Sequence, residues 1–243
     1  MGHRKPRVWL LVAVVPLAAG ACADCRDPFE LDERRLLVPG QRVVLTVPDG
    51  RLDVTGRERL QTLEVHATGC GASADARIEV DTGGAERAVR IVAERADVRV
   101  LLPAAAPLVV HHGAGGAELR AVGPLTLTQR GGDARLEQII GSVEVVAGPG
   151  TLYVREVVGD VDVVDGAGAL FVEGVMGAVR IRDGAGGIHL REIEGDVVVE
   201  VDGAGTIDAR DLAGDLTVRA KTDDARMIRH DHVAGRVRLP AER

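Results

Sequence analysis

The chain has 243 residues, 30 of them basic and 37 acidic, for a formal net charge of −7. This length suits one or two domains, and the acidic balance excludes the basic footprint of a nucleic-acid binder. One Trp, one Tyr and two Phe are the only aromatic residues, which argues against stacking on sugars or bases as the main mode of recognition.

The N-terminus reads as a secretory signal over residues 1–21. Arg4, Lys5 and Arg7 precede an apolar run of 11 residues, Val8 to Ala18, interrupted only by Pro16. That run is too short to cross ~30 Å of hydrocarbon as a helix and suits the apolar segment of a signal. Ala19-Gly20-Ala21 fits a general signal-peptidase site. The same residues before Cys22 also resemble a bacterial lipobox with Ala19 at the usual Leu position, so Cys22 is the expected lipid attachment site. Plain secretion and an uncleaved anchor are the alternatives. The cysteines number three, Cys22, Cys25 and Cys70. An odd count in an exported chain leaves one thiol to explain. Lipidation of Cys22 accounts for it, and Cys25 and Cys70 could then form a disulfide in an oxidising compartment; a Cys22–Cys25 bridge or free thiols are the other options. Cleavage removes three basic residues and no acidic one, leaving 27 against 37 and a net charge of −10. Such a body is repelled by anionic membrane surfaces, so the expected membrane link is the N-terminal lipid.

Residues 22–36 are charged, contain Pro28 and read as a lipid-anchor tether. Residues 37–112 form an N-terminal β region, a cap or the start of a stack. Arg42 to Val47 is β-branched and stops at the turn signal Pro48-Asp49-Gly50. Leu52 to Val54, Leu63 to Ala67, Arg77 to Val80, Val89 to Ala93, Val98 to Leu102 and Leu108 to His111 follow as strands. Glu58 to Leu63 could make one helical turn, and no other window keeps a helical period.

Residues 113–243 carry a repeat. Gly123, Gly141, Gly159, Gly177, Gly195, Gly214 and Gly235 recur at steps of 18, 18, 18, 18, 19 and 21. Asp165-Gly166-Ala167-Gly168, Asp183-Gly184-Ala185-Gly186 and Asp202-Gly203-Ala204-Gly205 keep the same beat. A fixed period near 20 means stacked supersecondary units. Each coil holds two alternating stretches, which send every second side chain inward. Stacked coils turn these positions into columns. Seven before the marker glycine stand Ala134, Leu152, Leu170, Ile188, Ile207 and Ile228. Two before it stand Ala121, Ile139, Val157, Val175, Ile193, Leu212 and Val233. The fold class is therefore all-β, a parallel β-helix of about 18 residues per coil. The crossover bias favours the right-handed form. A left-handed hexapeptide helix has the same coil length but sends Leu152, Leu170 and Ile188 outward. Arg236 to Pro240 is the expected last rung, its charges and Pro240 discouraging edge pairing.

The candidate chemistry is sparse. Asp165, Asp183 and Asp202 could form a cation ladder, since calcium-binding nonapeptide repeats also stack in 18-residue coils. Their phase differs, with Asp before the glycines rather than after, and the turn reading is favoured because Asp and Gly supply special backbone conformations. His230-Asp231-His232 places two imidazoles on one strand face, but nothing nearby in sequence completes a tetrahedral site, so no metal is expected. Ser73 and Ser142 are the only serines and neither lies in a nucleophile elbow. No catalytic residue and no cofactor are expected. Arg155-Glu156, Arg191-Glu192 and Arg210-Asp211 recur at one coil position and read as a solvated ion-pair ladder.

Leu101-Leu102-Pro103-Ala104, followed by repeated G-x-[VL]-x-[VIL] and D-G-A-G-x-[LI]-x-[VL], resembles the bacterial exported "putative adhesin" family of β-strand-repeat proteins of unknown function. The resemblance spans residues 40–240. It implies a β-helical, non-enzymatic envelope protein and transfers no catalytic residue; members often carry Ser-Gly at the turn where this chain has Asp-Gly-Ala-Gly. The expected role is a structural or protein-interaction module, periplasmic or surface-facing, whose partner is an envelope protein or a surface polymer. An adhesin for extracellular polymer is one alternative. A polysaccharide-acting β-helix enzyme is another, disfavoured because such enzymes build clefts from long loops.

Overall fold

The computed structural model describes residues 28–70, 76–81, 88–201, 203, 205–220 and 228–240, and these contain strands and turns but no helix. Strand alternation decides the architecture. In β2 (Arg42–Asp49) and β3 (Leu52–Arg57), every second side chain is buried. The tight turn between them folds the two strands into one coil with two faces. The same unit recurs as β6 (Ala88–Ala93) with β7 (Ala96–Pro103), and as β8 (Leu108–Ala114) with β9 (Ala117–Arg120). It continues through β10 (Leu125–Gln129) with β11 (Ala134–Ile140), and β12 (Val143–Ala147) with β13 (Gly150–Val158). β14 (Val161–Val175) and β15 (Val179–Ile193) each run through both faces. β16 (Val197–Val201) with β17 (Gly205–Leu212), β18 (Leu216–Ala220) with β19 (Ile228–Val233), and β20 (Val237–Arg238) complete the stack.

The result is a parallel β-solenoid. Its first face runs β6, β2, β8, β10, β12, the first halves of β14 and β15, β16, β18 and β20. Its second face runs β7, β3, β9, β11, β13, the second halves of β14 and β15, β17 and β19. The order along the stack is not the order along the chain. The β2–β3 coil comes first in sequence, yet β6–β7 lies on one side of it and β8–β9 on the other. Beyond β6–β7 the direction reverses: β4 (Thr62–Cys70) pairs antiparallel with β7, β1 (Pro28–Leu36) antiparallel with β4, and β5 (Ala76–Asp81) antiparallel with β6.

Residues 28–36, expected as tether, are therefore a strand. Phe29 and Leu31 alternate with charged residues and pack against the core, which gives this charged segment one apolar side to bury. The core is one continuous aliphatic cluster from Leu37 to Val218. Leu152, Leu170 and Ile188 lie inside it at 0–1% exposure, so the coils do not follow hexapeptide phasing. One column is corrected. Leu108 pairs with Leu125, a step one residue shorter than Leu125 to Val143. Val122, fully buried, takes the inward place expected for Ala121, which turns into the left-handed region at φ 52°.

The repeated glycines are explained by coil-to-coil contact. A Cβ on Gly186 would stand 1.7 Å from the carbonyl oxygen of Gly168, and its φ of +146° disfavours any side chain. The marker glycines stack in the same way from Gly141 onward, whereas Gly141 itself meets Pro124 rather than Gly123. Aspartates at these turns tie the coils together. The amide of Ala178 donates to Asp160, that of Asp215 to Asp196 and that of Arg236 to Asp215, each at 2.8 Å. The last of these bonds, with Arg238 and Arg236 beside it, holds the Asp215 carboxyl below its ordinary range.

Candidate functional site

The second face carries the aromatic residues of the described body other than Phe29. Tyr153, Phe171 and His189 occupy one outward column on β13, β14 and β15, in direct register. Their rings stack with centroids 4.8 and 4.6 Å apart and planes inclined by 8°. The guanidinium of Arg135 covers the free face of Tyr153 at 5.0 Å, a cation–π contact. Asp208 follows His189 at the other end. The strand spacing of ~4.8 Å imposes this stack; Tyr153 and Phe171 use both faces on their neighbours, and His189 uses one face on Phe171. What remains for a partner is ring edges, the Tyr153 hydroxyl, and the second face and nitrogens of His189.

Two residues further along each strand runs a charged column. Arg155 reaches Glu173 across the coil boundary at 3.1 Å, and Arg210 bonds Asp208 at 2.9 Å. Arg191 lies 3.5 Å from Glu192 and 4.0 Å from Asp211. Between the aromatic and charged columns a shallow cleft of about 240 Å³ is lined by Phe171, His189 and Asp208 on one side and by Glu173, Arg191 and Arg210 on the other. The 18-residue spacing of positions 153, 171 and 189 was legible in the sequence. Reading the aromatics by number rather than by phase missed that they form one surface.

The aspartate ladder is placed differently. Asp165 and Asp183 are register partners on β14 and β15 and point inward, 3% and 4% exposed. None of their four carboxylate oxygens meets a hydrogen-bond donor. Burial raises both pKa values above the ordinary 3.8, and for Asp183, with the charge of Asp165 adding to it, to about 6. The amides of Gly166 and Gly184 approach and pull the values back without reaching hydrogen-bond geometry. Asp202 lies outside the described residues. Along the same column Gln129 and His112 are also buried. They anchor backbone carbonyls: His112 Nε2 lies 3.0 Å from the Gly50 oxygen, and Gln129 Nε2 donates to those of Gly131 and Gly132 at 3.1 and 3.0 Å.

The cysteine readings fall at the edge of the described residues. Cys70 ends β4 and is disulfide-bonded; Cys22 and Cys25 lie outside the described residues. His230 and His232 do not share a strand face. His232 adopts φ 50° at the coil corner, which breaks the alternation, and its Nδ1 sits 3.4–3.5 Å from Asp231 and Asp211. Another set of donor groups does converge. On β1 and β4 the side chains of Glu30, Asp32 and His66 bring three donor atoms within 4.8 Å of one another.

The fold and this surface define the class: a two-faced parallel β-solenoid with an antiparallel cap at its N-terminal end. No family model and no curated protein matches the chain. Among solved structures it is similar to a "putative cell adhesion protein" from Clostridium sporogenes, with 12% identity and a TM-score of 0.31 over 88% of this chain and all of that one. It is also similar to a "putative adhesin" from Parabacteroides merdae, with 10% identity and a TM-score of 0.35 over 89% of this chain and 97% of that one. Both carry the kind of name that the repeat resemblance suggested.

Proposed function

We propose that the chain is a non-enzymatic lipoprotein of the bacterial cell envelope, and that the second solenoid face is a docking surface for another envelope protein. The observation that carries this reading is the Tyr153–Phe171–His189 stack, half-exposed on a flat face beside alternating arginines and carboxylates. Mixed aromatic and Arg content of this kind marks protein interfaces. A glycan adhesin would need free ring faces for sugar stacking, and here the rings cover one another. Catalysis by the acids of the cleft is disfavoured because Glu173 and Asp208 are each engaged by an arginine. Cys22 is the attachment point of the lipid in this reading.

Cross-linking of the tagged protein in its native envelope, followed by mass spectrometry, tests the docking face. One enriched envelope protein, lost in Phe171→Asp, supports it. Retention on wall polymer or whole cells with no protein partner favours the adhesin instead. Palmitate labelling of wild type and Cys22→Ser tests the anchor; equal labelling of both sinks it.

A further inference from the structure

We infer that Glu30, Asp32 and His66 form a surface site for one divalent transition-metal ion of the zinc type, clamping β1 onto β4. Asp32 and His66 are direct cross-strand partners, and Glu30, two residues before Asp32, projects from the same side of β1. His66 Nδ1 lies 2.7 Å from Asp32 Oδ1 and 3.8 Å from Glu30 Oε1. Ligands about 2.0–2.2 Å from a tetrahedral zinc stand roughly 3.4 Å apart, so rotations of exposed side chains are enough to seat an ion. The backbone needs no movement, because the antiparallel register of β1 and β4 holds all three Cα positions.

Two arginines of the described residues, Arg34 and Arg99, line the cleft beside this group, and both pair with other carboxylates. Arg34 pairs with Glu64 at 2.6 Å, and Arg99, the register partner of His66 on β7, turns to Asp53 at 3.7 Å. Among the described residues, the two carboxylates therefore face one cationic partner, the His66 imidazole. The cluster borders an open cleft of about 290 Å³, through which water could complete the coordination. The nitrogen donor selects the metal: calcium and magnesium take oxygen ligands, whereas imidazole suits zinc, copper and nickel. An ion here would pin the strand that follows the N-terminal segment, at the opposite end of β1 from the one that pairs with Thr62. This site is independent of the docking face proposed above.

Calorimetric titration of the full chain, without a histidine tag, with zinc tests the proposal. One ion per chain is expected, with affinity at least tenfold weaker in His66→Asn and in Asp32→Asn and unchanged in His232→Asn. Cobalt should give a visible d–d spectrum that His66→Asn abolishes. Amide exchange over Glu30 to Arg34 should slow on adding zinc in wild type only. Absence of saturable binding overturns the proposal, as does equal affinity in His66→Asn, or a loss that follows His232→Asn instead.

Discussion

Asp165 and Asp183 lie one above the other inside the solenoid, in register on β14 and β15, with four buried oxygens and no donor for any of them. In the same column Ala147 precedes them and Val201 follows. An apolar side chain is thus accommodated one coil away on either side, and the pair is a local cost that the aliphatic columns around it offset.

The pH dependence follows from the raised values. Below pH 3.8 folded and unfolded chains both hold the proton, and burial costs least. Between 3.8 and about 6 the folded Asp183 keeps its proton while the unfolded one loses it, so the folded state binds more protons and stability falls as pH rises. Above about 6 the penalty is complete. Asp183→Val should therefore raise stability at pH 7.5 by about 1–3 kcal/mol, with the gain shrinking towards pH 4. Urea unfolding of both proteins between pH 4 and 8 checks it, and a constant difference across that range contradicts the assignment.

Gly186→Ala should be severely destabilising, by about 3 kcal/mol or more, since the new Cβ meets the Gly168 oxygen at 1.7 Å. Gly116→Ala is the control. Nothing lies within 4 Å of its Cβ position, and its stability should stay within about 0.5 kcal/mol of wild type. Denaturant midpoints decide between them.

From the β8–β9 coil onward, one corner of the coil holds a left-handed residue, beginning with Ala121 at φ 52°. Gln138, Glu156, Glu192, Asp211 and His232 have φ between 50° and 58°, while Gly174 fills the same place at 69°. A side chain there costs about 1–2 kcal/mol. Glu156→Gly should raise stability by about 0.5–1 kcal/mol once the larger entropy of the unfolded glycine chain is set against that relief. Thermal unfolding checks the direction; a lower Tm contradicts it.

Phe171 stacks on two rings, each contact being worth about 0.5–1.5 kcal/mol. Phe171→Ala should cost about 1–2 kcal/mol and abolish cross-linking to the envelope partner. Val164→Ala, on the first face at 41% exposure, should leave cross-linking intact. Loss in both variants, or in neither, removes the second face from the interaction.

Much of the fold was legible before any coordinates. The 18-residue beat, the aliphatic columns and the glycine turns are local consequences of strand alternation and of how close successive coils approach, and both are written in residue order. Leu152, Leu170 and Ile188 could be placed inside from phase alone. The Tyr153, Phe171 and His189 ladder obeys the same arithmetic and was open to the same reading. The marker column faltered at Gly123 because one shorter coil shifts the phase, and a missing residue is invisible until its neighbours are paired.

What the chain determined by itself is the repeating coil: an inward aliphatic set, an outward polar set and a glycine wherever a Cβ would strike the coil before it. Tertiary pairing alone decided the N-terminal end. Nothing in residue order says that β6–β7 stacks outside β2–β3, that the charged segment 28–36 closes the sheet antiparallel on β4, or that Glu30 and Asp32 thereby meet His66. Parallel stacking at a fixed period brings together residues one repeat apart, so their meeting can be counted out in advance. Antiparallel closure joins segments of unrelated position, and only burial of a shared apolar face, here Phe29 and Leu31 against the core, selects which ones meet.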